Sequence, residues 1–413
     1  MSILNINEDR LWSSLMEMAK IGATPKGGCA RLALTDLDKE ARELYIQWCE
    51  EAGCTVSIDQ VGNIFAMRPG NNPDLPPVGT GSHLDTQPTG GKFDGVFGVL
   101  AGLEVVRTLQ EHNIETEAPV EISVWTNEEG SRFAPAMMGS GVVSGRLELD
   151  TILATEDVDG LTFGDELRRI GFAGEVPATA RAYTAFFETH IEQGPYLENE
   201  NKIIGVVTRG QGQRWYDVTI TGRESHAGTT PMHLRKDALV AASSLVLEVQ
   251  KIANNHKPAC GTVGFLQVFP NSRNTIPGEI SMGVDLRHPD DDVLSKMDAE
   301  LRAYLEELPQ IADIELSVDP YWYYAPVDFD PACRAAVRDG AEAHGYSYME
   351  IVAGAGHDAC YVADFAPTSM IFTPCKDGIS HNEIESTSKE ECAAGCNVLL
   401  YAVMSMAGVS ASD

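Results

Sequence analysis

Between Val78 and Trp125 the chain reads as strand, loop, helix and strand, and this run constrains the fold more than any other part of the sequence. Val78 to Ser82 reads as a strand that follows a turn-rich loop from Arg68 to Pro77. Val96 to Leu109 carries apolar residues at helical spacing, and Val120 to Trp125 is a β-branched strand. Strand, helix and strand in this order form a βαβ unit, which predicts an α/β fold: a mostly parallel sheet flanked by helices. Ligands of such sheets gather at the C-terminal ends of the strands.

A chain of 413 residues exceeds what one core usually organises, so two domains are expected. From about Gln213 the texture changes to the alternating strand Trp215 to Thr221. It continues as a helix from about Asp237 to Ala253, strands near Gly261 to Val268 and Ile280 to Leu286, a helix from about Asp291 to Leu308, and a strand near Ile314 to Val318. That β-α-β-β-α-β order predicts an inserted ferredoxin-like α+β domain. After about Val327 helix, strand and helix return, ending with Ser388 to Met406. The expected division is a first part of the catalytic domain over 1–212, a smaller domain over 213–326, and the rest of the catalytic domain over 327–413.

Sixty-one acidic against 30 basic residues give a formal net charge of −31, which argues against nucleic acid or an anionic membrane as a partner. An anionic substrate then needs a local positive site. No apolar stretch of about 18 residues is present, and Met1-Ser2-Ile3-Leu4-Asn5 lacks the basic flank of a signal peptide, so a cytoplasmic protein is expected. The nine cysteines are odd in number and form no Cys-x-x-Cys pair, which predicts reduced, mostly structural thiols.

Five short motifs could carry chemistry. In Gly81-Ser82-His83-Leu84-Asp85, His83 and Asp85 alternate at a strand end and share a face. Such a His can bind metal while the carboxylate orients its ring, although a structural His is the bland alternative. Asp94, in Gly90-Gly91-Lys92-Phe93-Asp94-Gly95, is either a helix N-cap or a carboxylate able to bridge two cations; the crowded glycines suit a loop that approaches a ligand closely. Glu128 and Glu129 directly follow the strand ending at Trp125. Their like charges are reconciled if one binds metal and the other serves as general base, an exposed acidic turn being the alternative. Glu188-Thr189-His190-Ile191-Glu192-Gln193-Gly194-Pro195 and Ile379-Ser380-His381-Asn382-Glu383 add two more histidines beside strand ends or loops. Three imidazoles and two carboxylates suit Zn²⁺, Mn²⁺ or Co²⁺ and argue against a thiolate site.

Taken in order, these motifs resemble the hydantoinase/carbamoylase branch of the dinuclear metallopeptidase superfamily that also holds aminoacylases and carboxypeptidases. Asn127-Glu128-Glu129-Gly130-Ser131-Arg132-Phe133 and Ser225-His226-Ala227-Gly228-Thr229-Thr230-Pro231-Met232 extend the likeness over nearly the whole chain. The resemblance implies two divalent ions, zinc by default, with manganese, cobalt or nickel as substitutes. One ion would be held by His83, Asp94 and His190, and the second by Asp94, Glu129 and His381, with Asp94 bridging. Glu128 would be the general base, and Asp85 would orient His83. Gln193, His226, Asn274 and Arg287 match positions that contact the substrate or its transition state; Arg287 would grip a carboxylate, and His226 would reach the active site of a partner subunit in a homodimer.

The implied reaction is hydrolysis of the carbamoyl group of a ureido acid. Thr86-Gln87-Pro88 together with Trp125-Thr126-Asn127-Glu128-Glu129 is most similar to the dinuclear β-ureidopropionases, which points to N-carbamoyl-β-alanine. N-carbamoyl-L-α-amino acids and allantoate are the alternatives within the branch. An inactive metal-dependent binding protein is the alternative outside it, and replacement of Glu128 or of a ligand would have favoured that reading.

Overall fold

In a computed structural model, residues 3–409 are described. They form two compact units: one runs to Thr208 and resumes at Asp328, and the other spans Arg209–Val327.

The first unit is built on a large mixed sheet. At its centre Val120–Trp125, Val78–His83, Ala185–Ile191 and Thr368–Thr373 lie side by side and parallel. Every residue of these four strands is buried, as expected of parallel strands covered on both faces. The margins are antiparallel: Ile64–Arg68 pairs with Val120–Trp125, Thr55–Ile58 continues outward from it, and Ile204–Gly210 pairs with Thr368–Thr373. The parallel register sets His83 beside Trp125 and Phe372 beside His190, so these strands end at one level with their C-terminal loops together.

Two helices hold this centre from one side. Val96–Glu111 is buried along most of its length and packs on Val78–His83 and Ala185–Ile191, and Lys389–Ala407 packs against Val96–Glu111 and Thr368–Thr373. Their close approach depends on missing side chains. A Cβ at Gly98 would come within 2.4 Å of the Thr189 carbonyl oxygen. The last helix begins with a capping box: Ser388 accepts from the Glu391 amide, and the Glu391 carboxylate accepts from the Ser388 amide. Below the functional loops, the fully buried Arg42 pairs with Asp38 at 2.8 Å and donates to the Gly62 carbonyl and the Thr126 hydroxyl. It thereby fastens the residue at which the Asn127-Glu128-Glu129 segment leaves its strand.

The second unit has its own core and a four-stranded antiparallel sheet in the order Glu315–Tyr324, Gly212–Thr221, Glu279–His288, Cys260–Phe269. Helices Ala238–Asn255 and Asp291–Ala312 cover one face, giving the ferredoxin-like arrangement. Ile280, Met282, Val284 and Leu286 point into the core and alternate with half-buried or exposed neighbours.

No helix among the described residues is long and apolar enough to cross a membrane. All nine cysteines are free, and only Cys260 is exposed.

Candidate metal centre

The first unit gathers five of the predicted residues at the C-terminal ends of its parallel strands. His83 ends its strand and is buried, and its Nδ1 lies 2.9 Å from the Asp85 carbonyl oxygen. His190 is buried within Ala185–Ile191, and its Nδ1 lies 2.8 Å from the Ile191 carbonyl oxygen. Carbonyl oxygens only accept, so each Nδ1 carries the proton and each Nε2 is turned to the cluster. The Gly95 amide donates to Nε2 of His190 at 3.1 Å, which requires a lone pair there.

Asp94 stands between two sets of groups. Its Oδ1 is 3.1 Å from His190 Nε2 and 3.6 Å from His83 Nε2, while its Oδ2 is 3.3 Å from His381 Nε2. Glu129 Oε2 is 3.4 Å from His381 Nε2, and Glu128 Oε2 is 3.4 Å from His83 Nε2. Ligand atoms of His83, Asp94 and His190, and likewise of Asp94, Glu129 and His381, lie within 4.8 Å of one another. These are imidazole and carboxylate donors, the set that borderline divalent ions prefer, so the residues fit a metal pair that shares Asp94.

The electrostatics agree with that fit. Burial pushes Glu128 well above the usual carboxylate range; His83 opposes the shift, and Asp358, Glu129 and Asp94 add to it. Burial likewise pushes Glu129 up to about 7, with the Asp94 charge adding to it. For Asp94 burial also pushes upward, but the three imidazoles of His190, His381 and His83 around it outweigh this and hold the group well below its ordinary value. Burial lowers His83, yet Glu128, Asp94 and Asp85 together raise it well above a normal imidazole. Buried acids here outweigh their basic partners and draw positive charge inward, a role that cations fill without protons.

Two sequence expectations change in detail. Asp85 does not orient His83 through its carboxylate, whose Oδ1 is 3.9 Å from Nδ1. Its carbonyl makes that contact, and its carboxylate instead accepts from the amides of Glu128 at 3.3 Å and Glu129 at 3.2 Å. The sharp turn after the strand leaves those amides facing Asp85, so the side chain positions the acidic pair. Nor is Asp94 an N-cap: the helix starts from Gly95, at φ 67°, with no side-chain cap. A Cβ on Gly95 would fall 2.3 Å from the His83 ring, and one on Gly91 would fall 1.9 Å from Glu385 Oε1. What these glycines admit closely is therefore a ring and a carboxylate of the chain itself.

Asn127, Gln193 and His381 all adopt left-handed backbone, with φ of 56°, 58° and 53°. Non-glycine residues in that region concentrate at functional sites. Gln193 donates to Asp94 Oδ2 at 2.9 Å and to the Ser380 hydroxyl at 3.1 Å.

His226, Asn274 and Arg287 belong to the second unit. Thr275 pairs with His226, the Ala227 amide donates to the Asn274 carbonyl, and both His226 and Asn274 are exposed. The amides of Gly228 and Thr229 donate to His226 Nδ1 at 3.0 and 3.2 Å, which leaves the ring proton on Nε2 as a donor. Arg287 is paired with Asp285 at 2.8 Å, so its charge is already partly balanced.

Sequence reasoning missed a buried cluster behind His190. Glu188, His190 and His357 form a third close group, with the His190 and His357 ring centroids 4.6 Å apart. Burial, with neighbouring His190 adding to it, holds His357 well below a normal imidazole. Asp358 faces Ser140, and Glu188 accepts from the Ser82 hydroxyl and the Ala359 amide. The available signal was Gly356-His357-Asp358 shortly after a strand, the same placement as the other motifs.

The sequence model of Peptidase family M20/M25/M40 matches residues 79–405. The chain belongs to this family, in its hydantoinase/carbamoylase branch. It is 50% identical over 405 residues to an N-carbamoyl-L-amino-acid amidohydrolase of Rhizobium meliloti, covering 98% of this chain and 97% of that one. An N-carbamoyl-L-amino acid amidohydrolase of Geobacillus stearothermophilus is 36% identical, covering 97% and 99%. The crystal structure of an amidase of the hydantoinase/carbamoylase family from Burkholderia multivorans is 58% identical, with a TM-score of 0.93 over 98% of this chain and 99% of that one.

Proposed function

We propose that this chain hydrolyses the carbamoyl group of an N-carbamoyl amino acid, using two divalent metal ions. The observation that carries the reading is the placement of Asp94, with one oxygen toward His83 and His190 and the other toward His381, beside the Glu128-Glu129 pair. The names of the relatives in Rhizobium meliloti and Geobacillus stearothermophilus support the substrate class.

A carbamoyl carbonyl is fed by the lone pairs of two nitrogens and resists attack near neutral pH. When bound, the two cations would lower the pKa of water and neutralise negative charge developing on the carbonyl oxygen. His83, Asp94 and His190 would hold one ion, and Asp94, Glu129 and His381 the other. Glu128, buried and drawn toward proton binding, accepts the proton of the attacking water and passes it to the departing nitrogen. Asp85 holds the Glu128 backbone during that transfer. By the family resemblance His226, reaching the active site of a partner subunit, and Asn274 would supply donors for the oxyanion, and Arg287 would grip the substrate carboxylate. The products are the free amino acid and carbamate, which breaks down to carbon dioxide and ammonia.

Within this class the Thr86-Gln87-Pro88 motif favours N-carbamoyl-β-alanine, and Gln87 touches the centre by donating to Glu129 Oε2 at 2.7 Å. The relatives' names favour N-carbamoyl-L-α-amino acids instead. Comparing kcat/KM on N-carbamoyl-β-alanine, N-carbamoyl-L-alanine and allantoate decides between them. A higher value for the first is expected, and a higher value for either of the others contradicts the β-alanine assignment.

We also read the chain as a homodimer. The second unit presents Cys260–Phe269 at the edge of its sheet, with Phe265, Leu266 and Phe269 exposed. Light scattering should give twice the chain mass; the mass of a single chain would contradict this.

A further inference from the structure

Glu385 lies four residues beyond His381 and is buried, yet the reaction outlined above does not use it. Its Oε1 accepts from the amides of Phe93 at 3.0 Å and Asp94 at 3.2 Å, 292 and 291 residues away in sequence. Its Oε2 accepts from the Ser380 hydroxyl at 2.8 Å. That same hydroxyl lies 3.2 Å from Asp94 Oδ2. Gly91 wraps onto the carboxylate so closely that any side chain there would overlap it. One buried side chain thus ties the loop that carries Asp94 to the loop that carries His381.

The arrangement is economical in physical terms. A backbone amide buried away from water needs an acceptor. The amides of Phe93 and Asp94 lie just before the helix Val96–Glu111, and Glu385 supplies their acceptor from the far end of the chain. Because its two oxygens serve different loops, the spacing between Asp94 and His381 is set through it.

We infer that Glu385 is a positioning residue that holds Asp94 and His381 at the separation required for the Asp94, Glu129 and His381 metal site. The His83, Asp94 and His190 site is less dependent on it, since both of those histidines sit on strands and are fixed by carbonyls. This inference rests on the two-metal reading above and adds a distinct requirement to it.

The test titrates the zinc-loaded full-length protein with a competing chelator and counts zinc equivalents retained, for wild type, Glu385→Ala, Glu385→Gln and Ser380→Ala, with melting curves in parallel. Glu385→Ala should weaken one of the two equivalents by about 10–100-fold and leave the other near wild type. Glu385→Gln keeps an oxygen for the two amides and should recover most of that loss. Ser380→Ala removes the hydroxyl that links Glu385 to the Asp94 side chain, and with it the contact from Gln193, but leaves the Phe93 and Asp94 amides on Glu385, so it should weaken the same equivalent by a smaller factor; if Glu385→Ala does not fold, this variant decides. Wild-type retention of both equivalents in Ser380→Ala and in folded Glu385→Ala overturns the inference. Equal weakening of both equivalents also overturns it. Wild-type protein that binds no zinc would instead overturn the two-metal reading.

Discussion

Glu128→Gln is expected to lower kcat on an N-carbamoyl amino acid by about 10²–10⁴-fold while leaving metal content and KM close to wild type. The amide preserves the size of the side chain and removes the proton acceptor. Glu128 is suited to that work because burial drives its proton affinity upward and Asp85 fixes its backbone. The separation of effects identifies the role: if Glu128 were chiefly a metal ligand, substitution would strip metal along with activity. Steady-state kinetics paired with metal analysis therefore checks both halves. A Glu128→Gln protein within a few-fold of wild-type kcat would remove this residue as the base.

Asp94→Ala is expected to abolish detectable turnover and to release both metal equivalents, whereas Glu129→Gln should release about one. The difference follows from geometry. Asp94 offers Oδ1 to His83 and His190 and Oδ2 to His381, while Glu129 approaches only His381. Removing Asp94 also takes away the one carboxylate that His83, His190 and His381 all face. Elemental analysis of the purified variants checks the stoichiometry. Retention of two equivalents by Asp94→Ala would contradict a shared ligand.

Much of the fold and site was legible because the information is local. The strands Val78–His83 and Val120–Trp125 and the helix Val96–Glu111 stand close to where periodicity sets them, and each motif follows a strand or opens a helix. Boundaries were harder where a local signal misleads. Pro309 suggests that its helix ends near Leu308, but the helix continues to Ala312, and the strand after it runs to Tyr324 rather than Val318. No helix or strand before the Arg68 to Pro77 loop read clearly, since Glu8–Met18 gains its meaning from packing on the helices Val96–Glu111 and Lys389–Ala407, Asp36–Glu51 from packing on Thr55–Ile58, and the hairpin of Thr55–Ile58 and Ile64–Arg68 from joining the sheet's margin.

In the site, the residues that bring metal-ligating chemistry lie in short recognisable motifs, but those that hold them in place do not. Glu385, Glu188 and Asp358 act across separations of 106 to 292 residues, which no spacing rule connects. The role of Asp85 shows the same limit. Its proximity to His83 was readable, but which of its oxygens faces the ring depends on how the chain turns after the strand.

Metal-dependent hydrolysis of the carbamoyl group is tested by ammonia release from N-carbamoyl amino acids, using chelator-treated protein before and after zinc is restored. Release should be lost on chelation and recovered with zinc. Release that is indifferent to metal, or its absence from every N-carbamoyl amino acid and allantoate in the fully metal-loaded protein, would contradict it.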